Sequence, residues 1–280
     1  MKRRVVPVVM FALMLARPAA AQQRPLVTED PEPIGAGRVL LETGIGFAAD
    51  QQYPVSGLEG NLWRVPAIGV SVGISSIAEF QIDGGFNRLA IQRRDPAPLS
   101  HLLAVTGNSA ADVEDIVIGT KIRLVAEAPK RPSFAFRFAT KLPNAENERG
   151  LGLDTTDFYA SLLAAKTVQS IRIVGNFGIG ILADPTVGDR QNDVLTYGLS
   201  FARALTDRAE VVGELNGRVS TRKGTAFPGT ESRGLLNLGG RYTRASIRLD
   251  GGLFFGLTAI DPTIGFTTGL TFVFNAFQVP

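Results

Sequence analysis

The chain has 280 residues, 45% hydrophobic and 20% charged, with 31 Gly, 16 Pro, one His and no Cys. An ordinary apolar share excludes a disordered chain. The missing cysteines exclude a disulfide scaffold, thiolate zinc sites, thiol catalysis and a lipidated N-terminal Cys. One histidine leaves no His-rich metal site, so neither a metal nor a cofactor is expected.

At the start, Lys2, Arg3 and Arg4 precede an apolar run from Val5 to Ala16, and Ala19-Ala20-Ala21 supplies small residues before Gln22. This three-part pattern predicts a signal peptide over 1–21, too short to span a bilayer well. Its removal takes four basic residues and no acidic ones. Lys+Arg then falls from 29 to 25 against 26 Asp+Glu, so the formal charge changes from +3 to −1. A nucleic-acid partner loses its support. No later stretch approaches eighteen consecutive apolar residues, so no transmembrane helix is expected after Ala21.

Residues 22–37 are expected as a periplasmic segment, and 38–277 as the folded unit. From Arg38 onward the sequence alternates with period two, the signature of strands with two different faces. Ala78, Phe80 and Ile82 oppose Glu79, Gln81 and Asp83; Phe134, Phe136 and Phe138 oppose Ala135, Arg137 and Ala139. Twelve strands are predicted near 38–48, 62–74, 77–88, 115–126, 133–142, 156–166, 171–182, 194–204, 209–219, 234–243, 246–257 and 264–275. Most have the length that a tilted strand needs to cross a bilayer. Pro66 predicts a bulge or a late start in the second.

Every second connection is short: 75–76, 127–132, 167–170, 205–208 and 244–245. The others are mostly longer, up to 89–114. Short turns at one end and long loops at the other predict an all-β, up-and-down antiparallel transmembrane barrel of about twelve strands. Lipid leaves no alternative to a closed sheet, because every backbone N–H and C=O has to be paired within the protein. Outward aromatics form two expected girdles. Phe47, Phe86, Phe158, Tyr197, Phe255 and Phe266 lie toward the long loops; Phe80, Phe134, Phe201, Tyr242 and Phe274 lie toward the short turns. Phe277, near the end, resembles the terminal assembly signal of such barrels, out of phase with Phe274.

A family resemblance runs through most of 25–275. Asp115-Ile116-Val117-Ile118-Gly119-Thr120-Lys121 is similar to an Asp-x-x-x-Gly-x-Lys strand. Phe136 to Pro143, Gly150-Leu151-Gly152, Thr156-Asp157-Phe158 and Gly213 to Gly217 continue it, and Leu26-Val27-Thr28-Glu29-Asp30 with Gly37 and Glu42 resembles its opening stretch. The family is the "MetA-pathway of phenol degradation" group of outer-membrane transporters. The resemblance implies a barrel that moves small, aromatic or hydrophobic compounds, and it brings no catalytic residues.

The inward face is then the candidate site. It carries Glu42, Glu79, Asp83, Asp157, Glu210, Glu214 and Asp250 against Lys121, Arg123, Arg137, Lys141, Arg172, Arg218, Arg241 and Arg248, with Gln81 among them. The third strand is acidic and the fourth basic, so they can pair. In a wet pore these charges tune which solutes pass; in a plugged barrel they pair. The near-equal count implies weak ion selectivity. Inward glycines (Gly44, Gly119, Gly178, Gly180, Gly198, Gly239, Gly252) leave space, and the 89–114 loop is long enough to fold inward and constrict it.

The expected function is an outer-membrane channel of a Gram-negative envelope, not an enzyme, passing a small solute passively. Its expected partners are outer-membrane lipid and that solute, with no nucleic acid and with the oligomeric state left open. A closed structural or adhesive barrel with a salt-bridged lumen is the alternative. A surface lipase or protease is a third reading, in which His101 beside Ser100 would be the one Ser-His candidate. Asp184, Asp189 and Asp193, with Glu146, Glu148 and Asp154, read as solvated loop carboxylates.

Overall fold

The computed structural model describes residues 24–278; the predicted signal peptide over 1–21 lies outside them. Thirteen strands make a single antiparallel sheet. They are β1 (Arg38–Tyr53), β2 (Leu58–Gly73), β3 (Ala78–Arg94), β4 (Ser109–Val113) and β5 (Val117–Val125). β6 (Ser133–Lys141), β7 (Asp157–Val168), β8 (Ile171–Ala183) and β9 (Gln191–Ala204) follow. β10 (Ala209–Ser220), β11 (Arg233–Arg244), β12 (Ile247–Gly256) and β13 (Ile264–Asn275) complete the wall.

β4 and β5 share one stave. β3 pairs with β4 at its far end (Phe86 with Val113) and with β5 at its near end (Glu79 with Lys121). β13 returns to β1, from Arg38 opposite Asn275 to Ala48 opposite Gly265. The sheet therefore closes as a twelve-strand barrel with no free edge, which removes every unpaired row of backbone groups.

The outer face is apolar. Phe177, Ile179, Leu199, Phe201, Leu238 and Leu253 are each at least half exposed, while their strand neighbours turn inward. A soluble protein does not leave a belt of that size bare; hydrocarbon covers it at no cost. At the long-loop end Phe47, Trp63 and Phe266 cluster on that face, and Phe138 stacks on Phe158 at 6.5 Å. Phe272 stacks on Phe274 near the other end.

The register along β1–β2 and β2–β3 shifts between Gly44 and Gly46 and between Arg64 and Ala67. This is the bulge expected at Pro66, which has no N–H to give to the ladder. β1, β2 and β3 run longer than predicted, to Tyr53, from Leu58 and to Arg94. Above the belt both faces turn polar (Asp50, Gln51, Gln52, Glu59, Asn61), so the alternation fades while the pairing continues.

Of the 89–114 stretch, which is long enough to reach inward, Glu114 lines the lumen and pairs with Arg64. The stretch's first and last parts join β3 and β4, and between them Leu103 and Val105 pack on buried Leu58, Leu89 and Ala110 at the rim. The apolar side chains hold it there.

Candidate functional site: a lumen divided by the N-terminal segment

All sixteen inward residues named from sequence lie on the inner face, alternating with the exposed apolar positions. The expected cross-strand pair forms: Glu79 faces Lys121 in register, with Nζ 3.0 Å from Glu79 Oε1. Both side chains are fully buried.

What buries them is the segment placed on the periplasmic side by the sequence reading. That expectation is corrected for its described part: residues 24–34 run inside the barrel. Gly35 (φ +98°) and Gly37 (φ +68°) adopt left-handed backbone that side chains avoid. There the chain turns out of the lumen into β1, and the Gly37 N–H bonds to Gly73 O at 2.9 Å. Three prolines (Pro25, Pro31, Pro33) keep the segment extended and unable to join the sheet.

Its backbone is received by wall side chains. The Glu214 carboxylate accepts the Val27 and Thr28 amides at 2.8 and 2.7 Å. Asn176 brackets Glu29, accepting its N–H at 2.7 Å and donating to its C=O at 2.8 Å. Glu79 Oε2 accepts the Ile34 amide at 2.7 Å. Arg241 donates to Arg24 O at 2.7 Å.

Its side chains are received by charge. Glu29 meets Lys121 and Arg137, both at 3.2 Å. Lys121 also donates to Asp30 O at 2.8 Å. Both oxygens of Asp30 accept from the Nε–Nη2 edge of the Arg172 guanidinium, and Glu32 pairs with Arg123. Arg24 reaches Asp250 at 3.6 Å and donates to Thr267 Oγ1 at 2.9 Å. Gln81 links Glu79 to Arg137 through bonds of 2.8 Å on each side. At the short-turn rim, burial pushes the Glu127 carboxyl up, but bonds from the Thr167 amide, Lys166 and Arg172 outweigh that and hold it below the ordinary carboxylate range.

The inward glycines acquire a reason. A Cβ on Gly44 would lie 2.2 Å from the Arg24 guanidinium, and one on Gly198 would lie 2.7 Å from Thr28 Oγ1. Gly239 and Gly252 likewise face Pro25 of the segment, whereas Gly119, Gly178 and Gly180 make room for side chains of the wall.

On either side of residues 26–30 the lumen is hollow. Toward the long loops a cavity of about 680 Å³ is lined by Val27, Arg64, Arg137, Tyr159, Leu163, Arg218, Arg233 and Phe254. Toward the short turns a second, of about 900 Å³, is lined by Asp30, Glu32, Arg123, Arg172, Glu210, Arg241 and Arg248. The remaining predicted residues lie in the same wall. Glu42 accepts from Thr271 at 3.1 Å, and Lys141 pairs with Asp115 and Asp157 at 3.0 and 3.2 Å. Asp83 is on the inner face of β3 beside Gly69.

Two solved structures share this architecture. One is the COG4313 outer membrane channel from Pseudomonas putida F1, at 10% identity and a TM-score of 0.62, covering 88% of this chain and 98% of that one. The other is the NanC porin, at 10% identity and a TM-score of 0.53, covering 85% of this chain and 100% of that one. At such identity the likeness is one of fold. Comparison with family models and with curated proteins finds no match.

His101 is exposed on a short 3-10 turn (Ser100–Leu102), and Ser100 Oγ bonds to Ala97 O at 2.9 Å. Sequence reasoning missed Glu29, Asp30 and Glu32, which face the lower bases, and Arg233, one residue before the predicted start of its strand.

Proposed function

We propose that this protein is an outer-membrane channel that passes a small solute by diffusion, with its own N-terminal segment as a removable stopper. The observation that carries the reading is the divided lumen. Two cavities, each large enough for a small molecule, are separated by about five residues of chain held by polar contacts. A segment bound by hydrogen bonds and ion pairs can exchange those partners for water or solute; one locked in an apolar core cannot do so cheaply. The apolar belt and the two barrel neighbours support placement in the outer membrane of a Gram-negative envelope. The resemblance to a transporter group of aromatic degradation supports a small aromatic or hydrophobic cargo. We read the protein as a non-enzyme.

The dense pairing across the segment favours a second reading, a permanently closed structural barrel. One experiment separates them. A Cβ at Gly198 would stand 3.4 Å from Thr28 Cβ, close to the roughly 3.5–4.5 Å of a disulfide, and the sequence has no Cys to interfere. In Thr28→Cys/Gly198→Cys, oxidation pins the segment to the wall. The channel reading expects liposome swelling by small solutes to stop on oxidation and return on reduction. Equal swelling in both states removes the stopper; no swelling in either, with wild type also impermeable, favours the closed barrel.

A further inference from the structure

In the long-loop cavity Arg218 of β10 stands directly opposite Arg233 of β11 in the ladder register, and both line the cavity. Like charges in directly opposed positions repel, and neither is neutralised by an intimate carboxylate. Arg218 donates to the uncharged carbonyls of Glu231 and Gly229 at 2.8 Å each, and it is hydrogen-bonded to the Tyr159 hydroxyl. Asp157 acts on Arg218 only from beyond ion-pair distance and is itself paired with Lys141 at 3.2 Å. Arg233 has Asp261 at 3.8 Å and feels Glu231 from beyond ion-pair distance. The other oxygen of Asp261 is committed to the β12–β13 connection, accepting from the amides of Gly234 and Thr258 at 2.9 and 3.1 Å and from Thr258 Oγ1 at 2.7 Å. The same cavity presents apolar and aromatic surface from Tyr159, Leu163 and Phe254.

We infer that Arg218 and Arg233 form a binding site for a small organic anion, a carboxylate carried on a flat apolar body. Two guanidinium groups lining one hollow match the two oxygens of a carboxylate, and the apolar lining of the same hollow receives the uncharged part. The bound anion would remove the repulsion that the fold otherwise bears. The lower lumen gives an internal precedent, since Asp30 occupies the fork of Arg172 there. The near-equal overall charge count conceals this, because it does not show which bases lie beside an acid: Arg64 pairs with Glu114 in the same cavity, while Arg218 and Arg233 face each other. The inference deepens the channel reading by naming a substrate class, and it is tested by binding, apart from permeation.

The probes are benzoate and its neutral relative benzyl alcohol, titrated calorimetrically into the full-length barrel in detergent. Benzoate is expected to bind more tightly than benzyl alcohol. Arg218→Gln/Arg233→Gln should weaken benzoate by at least about tenfold, the loss of charge-assisted bonds, and leave benzyl alcohol unchanged. Unheated gel mobility reports whether that variant is folded. Asp261→Asn keeps an oxygen for the Gly234 and Thr258 donors while freeing Arg233, and should tighten benzoate several-fold. Equal binding of the two probes, an unchanged double variant, or no gain in Asp261→Asn overturns the site. Should benzoate bind while no solute ever permeates, the channel reading fails and the site stands; should neutral solutes permeate while benzoate does not bind, the reverse holds.

Discussion

In the short-turn half of the lumen, Lys121, Arg123 and Arg172 each meet a carboxylate of the N-terminal segment, and Lys121 is wholly buried. In the long-loop half, Arg218 and Arg233 line a cavity; Arg218 bonds only to uncharged groups, and Arg233 has Asp261 no nearer than 3.8 Å. The residue types are the same and the wall is continuous; what differs is whether a carboxylate of the segment or of the wall stands against each cation, as it does for Arg64 and Lys141 as well. Where the segment sits, water is excluded and each cation needs a fixed partner, because an uncompensated buried charge is costly. Where it does not, water or a solute can supply the counter-charge. A lumen charge thus has a structural role where a carboxylate stands against it and is left for recognition where, as at Arg218 and Arg233, another cation does.

The contrast breaks most sharply at Lys121. Lys121→Met leaves Glu79 and Glu29 facing each other without their shared cation, and should cost about 3–5 kcal/mol in urea unfolding of the detergent-folded barrel. A loss under about 1 kcal/mol would mean that water already reaches this group and that the two halves are not different in kind. Asp30→Asn is gentler. It removes one charge from the Arg172 pair but keeps an oxygen, and Arg172 retains Glu127. A weakening of about 1–3 kcal/mol in the hold on the segment is expected. It should appear as faster proteolysis of residues 24–34 and more frequent opening in planar bilayers, with the wall's own unfolding little changed.

The wall was legible because period two assigns each residue to a face regardless of where the strand ends. Glu79, Lys121, Arg137 and Glu214 could be placed inward from their neighbours alone, and Pro66 announced its bulge by lacking a donor. The segment was illegible for the converse reason. Leu26 to Ile34 has no period, and its prolines forbid both helix and ladder, so local sequence says only that it is extended. Its destination is set by contacts roughly 45 to 240 residues away, of the kind that only closure of the barrel brings together. One clue was present: Glu29, Asp30 and Glu32 form an acidic run, and the fourth and seventh predicted strands carry Lys121, Arg123 and Arg172. The upper rim was blurred because β1–β3 continue above the apolar belt with polar residues on both faces, and Arg233 fell just outside its predicted strand.

The smallest effect is expected where the comparison says a cation is dispensable to the fold. Arg218→Gln removes a guanidinium whose described hydrogen bonds go to uncharged groups, the carbonyls of Glu231 and Gly229 and the Tyr159 hydroxyl. Glutamine can still donate one of them, and the repulsion with Arg233 disappears. These changes oppose each other, so unfolding should move by less than about 1 kcal/mol in either direction. The same substitution should nonetheless shift ion preference in planar bilayers toward cations, since a positive charge leaves the cavity through which solute passes. Stability that holds while selectivity moves would mark Arg218 as a residue kept for what enters the lumen. A loss of several kcal/mol would instead place it with Lys121, among the charges that hold the barrel's interior together.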